Sequence, residues 1–141
     1  MARSLKHRGP DADGYYCSER MGFAHRRLSI LDLSDNANQP MESHSRRYTC
    51  VYNGEVYNYR DIAKELNIDF KTSSDTEVIL EAFDEWGVTF INKLNGQFAI
   101  AIYDKQEKVM YLFRDRLGIK PLYYYWDGEH FVFASELKAL M

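Results

Sequence analysis

Residues 97–134 read QFAIAIYDKQEKVMYLFRDRLGIKPLYYYWDGEHFVFA, and their reading decides the fold class. Short apolar or aromatic runs at 97–103, 109–114, 122–126 and 131–134 are separated by Asp104-Lys105, Gly118 and Asp127-Gly128. Such runs between turn residues predict a meander of about four strands. Upstream the period lengthens. Ile62, Ala63 and Leu66 in 58–66, and Val78, Ile79, Ala82, Phe83 and Trp86 in 75–86, recur at helical spacing and predict two amphipathic helices. Ser74, with Glu77 three residues on, has the form of a capping box, and Gly87 that of a helix stop, so Asp75 stands at a helix N-terminus.

The first third alternates again. Tyr15-Tyr16-Cys17 after an Asp13-Gly14 turn, then 21–31, predict neighbouring antiparallel strands. The polar stretch 32–45 around Pro40 predicts a long loop, and 48–52 a further strand that Asn53-Gly54 breaks. Strands, helices, then strands without regular βαβ alternation predict an α+β domain with mainly antiparallel sheets.

The chain has 141 residues, 45% of them hydrophobic and 15% aromatic, which fits one folded domain and excludes a disordered tail. Eighteen basic and 21 acidic residues give a net charge of −3. No basic field attracts nucleic acid or an anionic membrane, and no apolar run reaches the roughly 18 residues of a membrane span. Two cysteines, Cys17 and Cys50, suggest neither a disulfide scaffold nor zinc, so a reduced, cytoplasmic chain without a metal site is expected. Both cysteines are expected to be buried structural thiols.

Several residues could carry chemistry. Asn53-Gly54 can offer a carboxamide N–H and a backbone N–H to an oxyanion, or can be a tight turn. Arg26 and Arg27 are adjacent in a predicted strand, so they face opposite sides and one of them needs a partner or a ligand; parity with Ser29 puts Arg27 on the more polar face. Asp75 can accept a ligand ammonium or serve only the helix dipole. The acidic residues of 61–85 read as the solvated face of two helices. Tyr123, Tyr124, Tyr125 and Trp126 read as packing residues, half of them turned inward. An Arg for a carboxylate, an Asp for an ammonium and an amide pair for an oxyanion together describe an amino-acid pocket with amide chemistry at its far end.

His7-Arg8-Gly9-Pro10-Asp11, Arg27-Leu28-Ser29-Ile30, Gln39-Pro40-Met41, Asn53-Gly54-Glu55-Val56-Tyr57-Asn58, Ser74-Asp75-Thr76-Glu77 and Gly118-Ile119-Lys120-Pro121-Leu122-Tyr123-Tyr124 follow one another in order. In these motifs, over essentially the whole chain, the sequence resembles the glutamine-hydrolysing domain of asparagine synthetases, a class II glutamine amidotransferase. The resemblance implies an N-terminal-nucleophile hydrolase fold, a four-layer α/β/β/α sandwich, and release of ammonia from the side-chain amide of glutamine. It assigns the substrate carboxylate to Arg27, the ammonium to Asp75, and the oxyanion to Asn53 and the Gly54 N–H. Leu28, Ser29, Ile30, Leu31 and Glu55 would line the pocket.

In that family an N-terminal cysteine attacks, with its own α-amine, which titrates near ~8, as the base. This chain begins Met1-Ala2, and its start resembles the end of the family's first helix. The expectation is therefore a single incomplete domain, 1–141, whose first strand and nucleophile are missing and whose uncovered sheet edge favours a homo-oligomer. It would bind glutamine without turning it over. The partner implied is a synthetase domain, also absent, where ATP and magnesium would serve the amidation of aspartate. Two other readings are a non-catalytic glutamine-binding or interaction module, and an amidotransferase for a different acceptor.

Overall fold

The computed structural model describes residues 1–27 and 37–141. Its centre is a four-stranded antiparallel sheet in the order β3-β4-β5-β6, built from β3 (Met41–Glu42), β4 (Tyr48–Val56), β5 (Gly96–Asp104) and β6 (Val109–Arg114). The period-two pattern sorts its side chains onto two faces. Tyr48, Cys50, Tyr52, Phe98, Ile100 and Ile102 turn to one side and join the main core with Val78, Ile79, Leu80 and Phe83 of helix α2 (Asp75–Trp86) and Ile62 of helix α1 (Tyr59–Leu66). Phe83 meets Tyr48, Phe90 and Phe113 edge to face at its centre.

The other face carries Ala101 and Tyr103, with Val51, Met110 and Leu112 beside them. Two separate hairpins contribute to this second cluster: β1 (Ala12–Cys17) with β2 (Gly22–Arg27), through Phe23, and β7 (Tyr123–Trp126) with β8 (Phe131–Ala134), through Phe133. Phe23 and Phe133 touch edge to face at 5.9 Å. The described residues thus stack as helices, sheet and hairpins, and a 3-10 segment, Ala2–Arg8, packs on β2. The α+β class with antiparallel sheets stands. No described helix is long and apolar enough to cross a membrane.

Several expectations are corrected. The last third is not one meander, because β5 and β6 belong to the central sheet while β7 and β8 form their own ribbon. Tyr123 to Trp126 are all exposed, Tyr124 at 68%, since this ribbon has no buried face over those positions. Asn53-Gly54 does not break β4 but pairs with Ala99 and Phe98 inside it. A Cβ at Gly54 would lie 2.2 Å from the Gln97 carbonyl oxygen, so glycine here permits strands to approach rather than to turn. Asp13-Gly14 is likewise within β1, paired with Arg26 and His25.

Helix α2 begins at Asp75 as expected, with the Ser74 hydroxyl accepting from the Glu77 N–H. Glu77 does not reach back to close a capping box. Its carboxylate instead accepts from the backbone of Lys71 and Thr72 at 2.9 and 2.7 Å and from the Thr72 hydroxyl at 2.7 Å. Burial works to raise its pKa, but these donors, together with His44, outweigh it and hold the carboxyl below its usual range. Asp75, Glu77 and Glu81 are therefore buried, not part of a solvated acidic face.

Candidate functional site

At the end of β4 nearest the start of α2 lies a cavity of about 320 Å³. Its lining includes Arg27 from β2, Asn53, Gly54 and Glu55 from β4, and Asp75 from α2. The sequence reading named all five, and the fold brings them together from three elements. Leu28, Ser29, Ile30 and Leu31 lie outside the described residues.

Each side chain arrives for a local reason. The inward face of β2 runs Phe23, His25, Arg27, apolar over the sheet and then polar beyond it. Arg27 is thus on the buried face, 9% exposed, and not on the more polar outer one as parity with Ser29 suggested. Its guanidinium donates to Asn38 Oδ1 at 2.7 Å. Arg26, on the other face, donates to the Ala2 carbonyl and stands 3.8 Å from Asp13, so both arginines have partners.

Asp75 is 5% exposed. Its Oδ2 accepts from the Tyr52 hydroxyl at 2.6 Å and from the Val56 N–H at 3.1 Å. Burial raises its pKa, and these donors, with the Thr76 amide, only partly offset that. A buried carboxylate in this condition gains from a cation brought into the cavity. Burial, with the charge of Asp75 beside it, pushes the Tyr52 phenol well above its ordinary value, so its hydroxyl stays a donor.

Sequence reasoning missed the frame around these groups. Gln39 accepts from the Tyr52 N–H at 2.6 Å and donates to the Thr76 hydroxyl at 3.3 Å, tying β4 to the first turn of α2. His25 sits two residues before Arg27 on the same face, and its Nε2 lies 3.1 Å from the Tyr52 carbonyl oxygen. That spacing, i and i+2 in a strand, was the available signal. Lys120 adds a cation to the lining. Burial, reinforced by Arg27, pushes His25 down to about 4, though its bond to Tyr52 opposes this.

The consequence for stability has a definite sign. The unfolded chain takes up the His25 proton near 6.5 and the folded chain near 4, so this group's contribution is whole above pH 6.5 and fades as pH falls to about 4. The amount is about 3 kcal/mol. Urea unfolding at steps between about pH 4 and pH 8 is expected to show a shallower pH dependence for His25→Gln than for the parent chain; equal slopes would remove this assignment.

Neither cysteine lines the cavity. Cys50 is fully buried on the helix side of β4, its thiol pushed up by burial. Cys17, contrary to expectation, is exposed at the end of β1. It lines an adjoining groove of about 340 Å³ between β2 and β8, where the hairpins diverge.

Arg27, Asp75 and the Asn53-Gly54 pair thus share one cavity. A family model described as a glutamine amidotransferase domain matches residues 1–141. The chain is 45% identical to an asparagine synthetase (glutamine-hydrolysing) of Bacillus subtilis, over 99% of this chain and 19% of that protein. It is 41% identical to asparagine synthetase B (glutamine-hydrolysing) of Escherichia coli, over 100% of this chain and 26% of that protein. It is 40% identical to a putative asparagine synthetase (glutamine-hydrolysing) of Methanocaldococcus jannaschii, over 100% and 31%. The chain therefore spans a fifth to a third of the length of these relatives. With the match running from the first residue to the last, the chain belongs to the glutamine amidotransferase domain family.

Proposed function

We propose that this domain binds free glutamine and serves as the glutaminase part of a glutamine-dependent asparagine synthetase. Arg27 and Asp75 in one cavity are the observation that carries the reading, because together they complement the α-carboxylate and α-ammonium of an amino acid. The glutamine side chain then extends toward Asn53 and Gly54. The Asn53 amide N–H and the Gly54 backbone N–H donate to its carbonyl oxygen, and more strongly once attack has made that oxygen an anion. Cys50 faces the opposite side of β4 and does not supply the nucleophile. The ammonia released would pass to a synthetase domain that amidates aspartate. The four-layer N-terminal-nucleophile sandwich belongs to the same proposal.

Isothermal titration calorimetry tests the binding step. Glutamine is expected to give a saturable heat with this chain, and Arg27→Ala to weaken it by at least about tenfold, the worth of a charge-assisted hydrogen bond. A folded chain that gives no heat with glutamine would contradict the proposal.

A further inference from the structure

Among the described residues, three buried side-chain polar atoms have no hydrogen-bond partner: Nδ1 of His25, Nδ2 of Asn53 and Oγ1 of Thr49. Native structures rarely leave such atoms unsatisfied, and those they do leave call for an explanation. His25 and Asn53, unlike Thr49, line both the cavity and the groove beside it.

The chemistry of the two atoms is fixed by what surrounds them. His25 Nε2 faces the Tyr52 carbonyl oxygen, which can only accept, so Nε2 carries the proton. The ring has no second proton at neutral pH, because burial beside Arg27 disfavours it. Nδ1 is therefore a bare lone pair, an acceptor. Asn53 Nδ2 is a donor. The two residues are neighbours in the fold, since His25 is anchored on the carbonyl of the residue that precedes Asn53.

An unpaired acceptor and an unpaired donor on two residues that line one cavity can complement a carboxamide, whose N–H donates and whose C=O accepts. A carboxylate matches only the donor and is repelled by the lone pair. We propose that His25 is a specificity-determining residue: its Nδ1 accepts from the side-chain amide N–H of bound glutamine while Asn53 donates to the carbonyl, so that glutamine is held and glutamate is rejected. This rests on the glutamine reading above. It gives His25 a task that the Arg27 and Asp75 contacts cannot perform, because those contacts are common to both amino acids.

Two substitutions separate the two ring nitrogens. In His25→Gln the amide nitrogen can still donate to the Tyr52 carbonyl, but no acceptor stands at the Nδ1 position. In His25→Asn the side-chain oxygen stands near that position. Calorimetric titrations with glutamine and with glutamate at neutral pH give the affinity ratio for each chain. The parent chain is expected to favour glutamine, His25→Gln to lower the ratio by about tenfold or more through weaker glutamine binding, and His25→Asn to keep most of it.

A second readout needs no variant. In the ¹⁵N-labelled parent chain the His25 Nδ1 resonance is expected to move upfield with glutamine and to stay with glutamate. If glutamine binds but the His25→Gln ratio equals that of the parent, or the Nδ1 resonance stays still, the proposal is overturned while the glutamine site stands. If glutamine does not bind the parent chain, the site reading falls and takes this proposal with it.

Discussion

Asp75→Asn is expected to weaken glutamine binding by about a hundredfold while leaving the fold as stable as before or slightly more so. The two effects have one origin. Asp75 is buried against Tyr52 and Val56 with its pKa raised, so folding disfavours its charged form relative to the unfolded chain. Above that raised pKa the ionised carboxylate subtracts from stability, and the neutral amide removes the penalty. The ligand's ammonium loses its counter-charge in a desolvated cavity, where truncating one partner of a charge pair costs about 2–5 kcal/mol. Asparagine keeps the volume and an oxygen for the Tyr52 hydroxyl, so the start of α2 holds. Calorimetry and thermal unfolding of the same samples check both halves. A dissociation constant within about threefold of the parent's would refute the ammonium role.

Asp115→Ala is expected to cost about 3–4 kcal/mol of folding stability. This carboxylate is 6% exposed and accepts from four backbone donors: Leu117 and Ile119 on Oδ1 at 3.2 and 2.8 Å, Phe98 and Lys120 on Oδ2 at 3.2 and 3.0 Å. Burial alone would raise its pKa, but the amides prevail and hold it below the usual range. Its stabilisation is therefore present above the unfolded carboxylate's pKa and lost as pH falls through the lower folded value. Alanine leaves the buried Phe98 N–H unmatched and releases the 115–120 turn, of which Lys120 reaches the cavity. Asp115→Asn, which can serve only part of the donor set, is expected to fall between. Urea unfolding of the three chains decides it, and a loss under about 1 kcal/mol for alanine would show that the turn holds without its carboxylate.

The parts of this structure that were legible in the sequence are those where one local rule acts alone. Ser74 caps α2 and Gly87 closes it because capping needs only those residues. The strands at 109–114 and 131–134 follow their apolar runs to the residue. The two glycine pairs misled for a shared reason. Asn53-Gly54 and Asp13-Gly14 carry turn chemistry, yet each glycine is there to let a strand meet another backbone, Gln97 for Gly54 and Gln39 for Gly14. Nothing local distinguishes the two uses. Glu77 was taken for a solvated acid because two backbone amides, a hydroxyl and a distant His44 hold it, which no charge pattern reveals.

The site divides along the same line. Arg27, Asp75, Asn53 and Gly54, which the fold brings to one cavity, were singled out because their chemistry is shaped like a ligand. Gln39 and His25 were not, because each is a neutral side chain that bonds a main-chain group on β4, which no sequence pattern marks. The aromatic strand β7 failed the parity rule because that rule presumes one buried face, and a two-stranded ribbon with solvent over its tip provides none there.

The close contact at Gly54 also bears on redesign. Anyone wishing to reshape this cavity for a larger side-chain amide would look first at the residue with no side chain. That position is closed: an added methyl group would meet Gln97 O at 2.2 Å and Phe98 Cα at 2.7 Å, backbone atoms of a central strand that have no rotamer by which to retreat. Ala24 of β2 and Ser135 just after β8 border the same space from elements other than the central sheet. A mutational library that randomised every lining residue alike would force its Gly54 members to push two central strands apart.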